Sequence, residues 1–321
     1  MQTKRIGILR GGPSSEYDVS LKTGAAVFRN LPKKYTPIDI LISKDGLWHM
    51  NGLPTIPARV LPHLDCVFNA LHGEYGEDGT VQKILEHWKI PYTGSKALAS
   101  AIGMNKSVSK KFFKNAGLRV PYSISINSKD FVDIKSLANH IFKKFSLPFV
   151  AKPIRGGSSV GVIIAKKFED IINEIPKVLN ESDEVLLEEY IRGREVTCGV
   201  VDNFRDESHH ALMPIEIIMS ENSQFFDYKA KYSGETKELC PSVRLSIEEK
   251  KEIEKAAILA HQTIGARHYS RSDFIVSPRG IYILEINTLP GLTEESLLPK
   301  SLLAGGTTFQ EFLEHIITEI I

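Results

Sequence analysis

Two rhythms of apolar and polar positions run through this chain, and the switches between them mark its parts. Residues 4 to 9, with the apolar run Ile6 to Leu9, read as a short buried strand. "RGGPSSE" then turns into a helical pattern near Val19 to Phe28, so the chain opens as strand, Gly-rich turn, helix. "LDCVFNAL" (64 to 71) reads as a second strand, Thr80 to Trp88 as a helix, and "KIPYTGS" as a third strand that leaves this region. A Lys-rich helix follows over 105 to 117, with Gly117 as its stop. "VPYSISI", "LPFVAKPI" and "VGVIIAK" read as strands, and 168 to 179 as a helix. "EVLLEEYI", "REVTCGVV" and "HHALMPIEIIM" read as three further strands. Ser246 and Glu249 form a capping box ahead of a helix over 247 to 264, which Gly265 ends. The pattern predicts an α/β and α+β protein: a doubly wound α/β domain over 1–95, then two α+β domains with antiparallel sheets over 96–191 and 192–321.

Two hairpins hold the candidate chemistry. "AKPIRGGSSVGV" (151 to 162) has the composition of a phosphate-binding loop, but Lys152 precedes the glycines and an apolar run follows them. A Walker loop ends in Gly-Lys-Ser/Thr at the start of a helix. Strand, glycine loop, strand is instead a flap, whose backbone N–H groups and Ser hydroxyls can fold over phosphates while Lys152 reaches them from the preceding strand. In the second hairpin, "YSRSDFIV–SPRG–IYILEIN", alternation puts Arg271 and Asp273 on one face and Glu285 and Asn287 on one face. A turn near Pro278 to Gly280 sets Asp273 roughly opposite Glu285. Oxygen ligands at that density suit Mg²⁺, and the following "NTLPGLT" supplies backbone N–H groups beside it for an oxyanion.

Bulk properties narrow the class. The chain has 321 residues, enough for two or three domains, and its 40 Lys+Arg against 39 Asp+Glu give no bulk attraction to nucleic acid or membrane. Three scattered cysteines form no CxxC pair, which predicts a reducing, cytoplasmic setting without structural zinc. No stretch approaches the ~18 apolar residues of a membrane span. Glu74, Glu77 and Asp78 are expected at a helix start rather than on a metal, and His209 and His210 as ordinary strand residues.

"KPIRGGSSVG", "EVLLEEYI…REVT", "DYKAKY", "SRSDF" and "LEINTLPGLT" stand in the order found in ATP-grasp ligases; "GGPSSEYDVSL" and "HGEYGEDGTVQ" narrow the likeness. From about residue 5 to 312 the chain resembles the D-alanine–D-alanine ligases. The resemblance implies an ATP-grasp fold and an enzyme that phosphorylates the carboxylate of one D-alanine with ATP. The amine of a second D-alanine then attacks, giving a dipeptide for peptidoglycan precursors. It implies ATP, two Mg²⁺ ions (Mn²⁺ able to substitute) and a homodimer, with Lys106, Lys152 and Lys231 on the phosphates. Glu188, Glu189, Tyr190 and Ile191 fall on the adenine strand and Glu195 at the ribose; Asp273, Glu285 and Asn287 match the metal ligands. Arg271 and the Gly291 N–H match the oxyanion donors. Glu16, with His72 near it, matches the holder of the first ammonium; Glu16, Ser158 and Tyr232 match a trio that ties a loop over the site. Ser296 and Leu297 match the anchor of the second carboxylate. Ser270, Ser272 and Gly156 depart from the family's usual residues. Rival readings are a D-alanine–D-serine or D-lactate ligase, and a nucleotide-binding module without catalysis. Tyr232 speaks against the D-lactate form, and the intact ligand set against the module.

Overall fold

A computed structural model describes residues 3–130, 133–157, 161–218 and 237–321. Its strands form three sheets.

The first sheet has the order β4-β3-β2-β1-β5. Strand β1 (Lys4–Gly11) lies between β2 (Tyr35–Ile42) and β5 (Cys66–Asn69), parallel to both, with α1 (Tyr17–Asn30) as the crossover to β2. This is the doubly wound opening expected from the sequence. The hairpin β3 (Trp48–Met50) and β4 (Leu53–Thr55) extends the sheet in antiparallel fashion. Strands β2 to β4 were not anticipated: Pro37 and Asp39 interrupt the apolar rhythm of β2, and β3 and β4 have three residues each. Conversely, "KIPYTGS" is not a strand. It makes one isolated bridge, Val67 to Tyr92, because Pro91 has no N–H to continue a ladder.

Helix α2 (Thr80–His87) and two consecutive helices, α3 (Ala97–Met104) and α4 (Lys106–Asn115), lead to the second sheet. Asn105 separates the pair and caps α4 by accepting from Val108 N. Gly117, at φ +89°, stops α4 as expected. The second sheet is antiparallel, ordered β6-β9-β7-β8: β6 (Ser123–Asn127), β7 (Phe149–Pro153), β8 (Ile163–Ala165) and β9 (Glu184–Glu189). Helices α5 (Ile134–Lys144) and α6 (Phe168–Glu181) cover one face with a core that includes Ile141, Phe149, Ile171 and Leu187. β7 and β8 pair around the Gly/Ser stretch, so the flap topology holds.

The third sheet carries β10 (Arg194–Phe204), β11 (Glu207–Ala211), β12 (Ile215–Ile218), β13 (Lys237–Leu239), β14 (Tyr269–Ser277) and β15 (Gly280–Asn287). The run "HHALMPIEIIM" is therefore two strands, not one. Pro214 cannot donate to a ladder, so the chain leaves β10 after β11 and rejoins it as β12. Helix α7 (Ile247–Ile264) packs on this sheet's far face around Phe274, Val196 and Ile253, and its Ser246/Glu249 capping box is formed. The last helices, α8 (Leu297–Ala304) and α9 (Phe309–Thr318), close the chain.

One apolar core crosses between the first and third sheets, joining Ile6, Ile8 and Phe68 to Tyr269, Leu289, Phe312 and Ile316. Beside it the polar docking is specific. Arg267 donates from Nε to Gly94 O (3.1 Å) and from Nη2 to Tyr92 O (3.0 Å), and its guanidinium stands 5.0 Å from the Tyr92 ring. Gly94 N–H donates to His268 Nδ1 at 3.0 Å. Burial and the neighbouring Arg267 charge push the His268 pKa down to about 3, so the ring stays a neutral acceptor. Arg267→Ala removes two charge-assisted bonds and strands two carbonyls. We expect a stability loss of about 3 kcal/mol in urea unfolding, with Arg267→Lys recovering less than half because an ammonium cannot span both carbonyls.

Candidate active site

The cleft between the second and third sheets holds about 460 Å³ and is lined by residues of β7 to β10, β12, β14 and β15. That size lies within the roughly 300–1,000 Å³ usual for small-molecule sites. Its apolar walls include Val150, Ile164, Ile217, Leu284 and Leu297. Its polar walls are almost all charged.

The third-sheet wall depends on an irregularity. The turn closes with Ser277 opposite Gly280, and that register would put Asp273 opposite Leu284. A bulge after Asp273 shifts it, so that Asp273 faces Glu285 and Arg271 faces Asn287. The two carboxylates meet across the ladder with Cβ atoms about 5 Å apart. Arg271 grips Asp273 with Nε to Oδ1 at 2.9 Å and Nη2 to Oδ2 at 3.0 Å. Thr197 Oγ1 donates to the same Oδ1 at 2.6 Å. Burial opposes the Arg271 charge, but Asp273 and Glu285 hold its pKa up. Asn287 Oδ1 accepts from Leu289 N at 2.9 Å, fixing the loop that carries Gly291.

The cations come from α4, which packs on the third sheet through Phe113, and from β7 of the second sheet. Lys106, the first residue of α4, donates to Gly156 O at 2.6 Å and stands 3.4 Å from Glu285 Oε2. Lys152 Nζ lies 2.9 Å from Glu188 Oε2. Lys110 Nζ lies 2.8 Å from Glu188 Oε1. All three side chains are buried. Burial works against each charge. Glu188, between two cations, is nevertheless held below the usual carboxylate range, and Lys152 above the usual lysine range. Burial pushes Lys110 down to about 8, against the attraction of Glu188 and helped by repulsion from Lys152.

At the first-sheet end, Glu16 precedes α1, and a Cβ on Gly157 would stand 3.4 Å from Glu16 Oε2. The loop with Gly157 thus reaches Glu16. His72 is buried, with Nε2 2.8 Å from Thr23 Oγ1 and Nδ1 3.3 Å from Glu77 Oε1. Burial raises the Glu77 pKa despite its bonds from His72 and Gly73 N. Asp78 accepts from Tyr75 N and Thr80 N, in keeping with the helix-start reading.

The structure thus gathers Lys106, Lys152, Glu188, Glu189, Tyr190, Ile191, Glu195, Arg271, Asp273, Glu285 and Leu297 around one cleft. Asn287 sits on the same hairpin, opposite Arg271. Glu189 is also bonded by Arg279, Nη1 to Oε1 at 2.7 Å. Gly291 and Ser296 adjoin: a Cβ on Gly291 would stand 2.8 Å from Ser296 Oγ, which bonds Thr293. Ser158, Lys231 and Tyr232 lie outside the described residues. Sequence reasoning missed Lys110, Thr197 and Glu216. Lys110 follows Lys106 by four residues, on the same helix face, and Glu216 is a lone acid in an apolar strand; both signals were there to read. Glu216 is buried, accepts from Ser242 Oγ at 2.6 Å and lies 3.4 Å from Arg244 Nε.

Two antiparallel sheets clasping a charged cleft, behind a doubly wound N-terminal sheet, form the ATP-grasp fold. Comparison with known proteins carries this further. The model of the D-ala D-ala ligase C-terminus matches residues 112–318, and that of the N-terminus matches 5–58 and 54–95. The D-alanine--D-alanine ligase of Geotalea uraniireducens is 40% identical over 320 residues, covering 99% of this chain and 96% of that protein. That of Bacillus anthracis is 36% identical over 314 residues, covering 98% and 96%. Among solved structures, the VanG D-Ala:D-Ser ligase of Enterococcus faecalis superposes with a TM-score of 0.87 at 31% identity, over 100% of both chains. The B. anthracis D-alanine--D-alanine ligase complexed with ATP gives 0.77 at 32% identity, over 98% and 96%. The chain belongs to the D-alanine–D-alanine ligase family.

The triad Lys110–Glu188–Lys152 makes an asymmetric prediction. Glu188→Gln leaves two buried cations facing each other and should cost about 3–5 kcal/mol. Lys110→Met leaves the Glu188–Lys152 pair intact and should cost less than about 1 kcal/mol near neutral pH, since burial already disfavours that charge. The sign with pH follows. A folded pKa of about 8 below the ordinary lysine value means the unfolded chain binds more protons in between. The stability of wild type relative to Lys110→Met should therefore rise as pH climbs above 8. Chemical unfolding of the three proteins from pH 7 to 10 checks both the order and the slope.

Proposed function

We propose that the cleft joins two D-alanines at the expense of ATP, through an acyl phosphate, to give D-alanyl-D-alanine for peptidoglycan precursors. The observation that carries the reading is the bulge-set pair Asp273–Glu285 facing Lys106 and Lys152 across one cleft. Lysines on one wall and carboxylates on the other suit a polyphosphate with divalent cations between them. The chemical logic is direct: carboxylate oxygen is a poor leaving group, and phosphorylation makes it a good one.

Each residue has a task in this scheme. Lys152 and Lys106 hold phosphate oxygens, and Lys106, through Gly156 O, ties the phosphate site to the flap. Glu188 keeps two buried cations in place before nucleotide arrives. Val150, Ile164, Leu284 and the 188–191 strand end accept the base, with Glu195 at the ribose. Asp273, Glu285 and Asn287 would hold Mg²⁺; their oxygens are hard ligands, and the two carboxylates stand against the cations Arg271 and Lys106. Bound there, the ions would neutralise phosphate charge. Arg271, held in a fixed plane by Asp273, presents a guanidinium to the oxyanion, with Gly291 N–H as second donor. Glu16 takes the first substrate's ammonium near Gly157, with buried His72 behind it. Ser296 and Leu297, at the start of α8, take the second carboxylate, where helix N–H groups favour an anion. Closure of the flap excludes water that would hydrolyse the acyl phosphate. A cytoplasmic, dimeric enzyme completes the reading; the described residues contain no helix long and apolar enough to cross a membrane.

The likeness to the D-Ala:D-Ser ligase makes D-serine the acceptor to compare. Phosphate release from ATP should need D-alanine, be absent with L-alanine, and give D-alanyl-D-alanine as the main product when D-alanine, D-serine and D-lactate compete. A dominant D-alanyl-D-serine product would move the assignment to that acceptor. Glu285→Gln should lower turnover by about 10²–10³-fold with the fold intact; near-normal turnover with Mg²⁺ would remove Glu285 from the metal site.

A further inference from the structure

On the face of the third sheet away from the cleft, three side chains from three elements converge. Asp202 on β10 and His209 on β11 are register partners, and His261 comes from the last turns of α7. One ligand atom from each lies within 4.8 Å of the others. Asp202 Oδ1 is 2.8 Å from His209 Nδ1 and 3.0 Å from His261 Nε2.

Two features separate this cluster from an ordinary hydrogen-bonded one. First, His261 is fully buried and its Nε2 makes no aligned hydrogen bond, although a carboxylate oxygen is 3.0 Å away. Second, the outer atoms of two of the groups, His261 Nδ1 and Asp202 Oδ2, are held from behind in the way that orients a ligand. His261 Nδ1 bonds Ser270 Oγ at 2.8 Å, and donation to that hydroxyl leaves Nε2 as a bare lone pair. His268 N donates to Asp202 Oδ2 at 2.6 Å, which leaves Oδ1 facing the imidazoles. In that tautomer a lone pair faces a carboxylate oxygen at 3.0 Å, an arrangement that a cation between the two atoms would relieve.

We propose that Asp202, His209 and His261 bind one transition-metal ion of the zinc class, which clamps α7 to β10 and β11. Two imidazoles and a carboxylate are a ligand set for Zn²⁺ or Co²⁺, with water in the fourth place. In a tetrahedral zinc site the ligand atoms stand about 3.3 Å apart, so the pairs at 2.8 and 3.0 Å need to open by only a few tenths of an ångström. His209 is the most exposed of the three side chains, at 28%, and gives the ion a way in. On binding, the proton between His209 Nδ1 and Asp202 leaves to solvent, and His209 keeps its other N–H. Asp202 lies five residues along β10 from Thr197, roughly 17 Å at strand spacing, so the clamp is separate from the ATP cleft.

The test uses the full chain, stripped with EDTA and dialysed against ZnCl₂, with metal counted by mass spectrometry and Co²⁺ substitution read in the visible spectrum. The proposal predicts one equivalent of zinc in wild type and in Glu285→Gln, a tetrahedral Co²⁺ band, and a higher melting temperature with zinc. His209→Ala, at a half-exposed position, should weaken binding by about 100-fold or more, and Ser270→Ala by about 10–100-fold. If wild type retains no more zinc than His209→Ala, or if the zinc is lost with Glu285→Gln, the three side chains are a hydrogen-bonded cluster and the proposal fails. Should His209→Ala unfold, His209→Gln keeps the size of the side chain and gives the same two readings.

Discussion

The architecture of this protein is governed by the cost of keeping charge inside it. Lys106, Lys110, Lys152 and Glu188 are buried, and Arg271 and Asp273 nearly so. An isolated ion at such depth would lose several kcal/mol of hydration, so each must meet a counter-charge at contact distance. Glu188 answers two lysines, Asp273 answers Arg271, and Glu285 stands before Lys106. No single element supplies both members of the Lys106–Glu285 pair, since one comes from α4 and the other from β15. The contact that crosses to the second sheet is Lys110 with Glu188, from α4, packed on the third sheet, to β9, and it lies at the edge of the cleft.

The same compensation prepares the cleft for an anionic ligand. Charges that already face one another across a gap need little reorganisation when phosphates and cations enter between them, which is the condition for strong electrostatic stabilisation. The arrangement is uneven in a useful way. The Lys110 pKa falls while that of Lys152 rises, so Lys152 holds its charge to higher pH.

Behind the reactive face, β14 serves two sides at once. Arg271, Asp273 and Ile275 point into the cleft, while Ser270, Ser272 and Phe274 are buried towards α7. Strand alternation alone produces this division. Whatever fixes α7 against the sheet, including the Asp202–His209–His261 cluster, therefore also fixes the strand that presents the arginine. Arg267 and His268, just before β14, join that strand to the first sheet, so the three parts of the chain meet at its N-terminal end.

Much of this was legible in the sequence. The apolar rhythm gave the opening strand–turn–helix, the flap hairpin and the Asp/Glu hairpin, because those signals are local and repeat over several residues. The ordered motifs carried the family resemblance. What local rhythm could not give was set by distant partners. Strands β3 and β4 exist because β2 offers them an edge, and Tyr92 fails to make a strand because Pro91 has no N–H to offer Val67's neighbour. Lys110 looked like a solvated helix lysine until Glu188 arrived from β9, some eighty residues later. The clearest case is the Asp/Glu hairpin. Sequence alone determined that Asp273, Glu285 and Asn287 lie on one hairpin with a turn near Pro278 and Asp273 roughly opposite Glu285, as the sheet has it. Simple alternation from the Ser277–Gly280 pair would have set Asp273 against Leu284. Only the folded sheet decided on the bulge after Asp273 that sets this register, because a bulge adds one residue to a strand and no period of two contains that information.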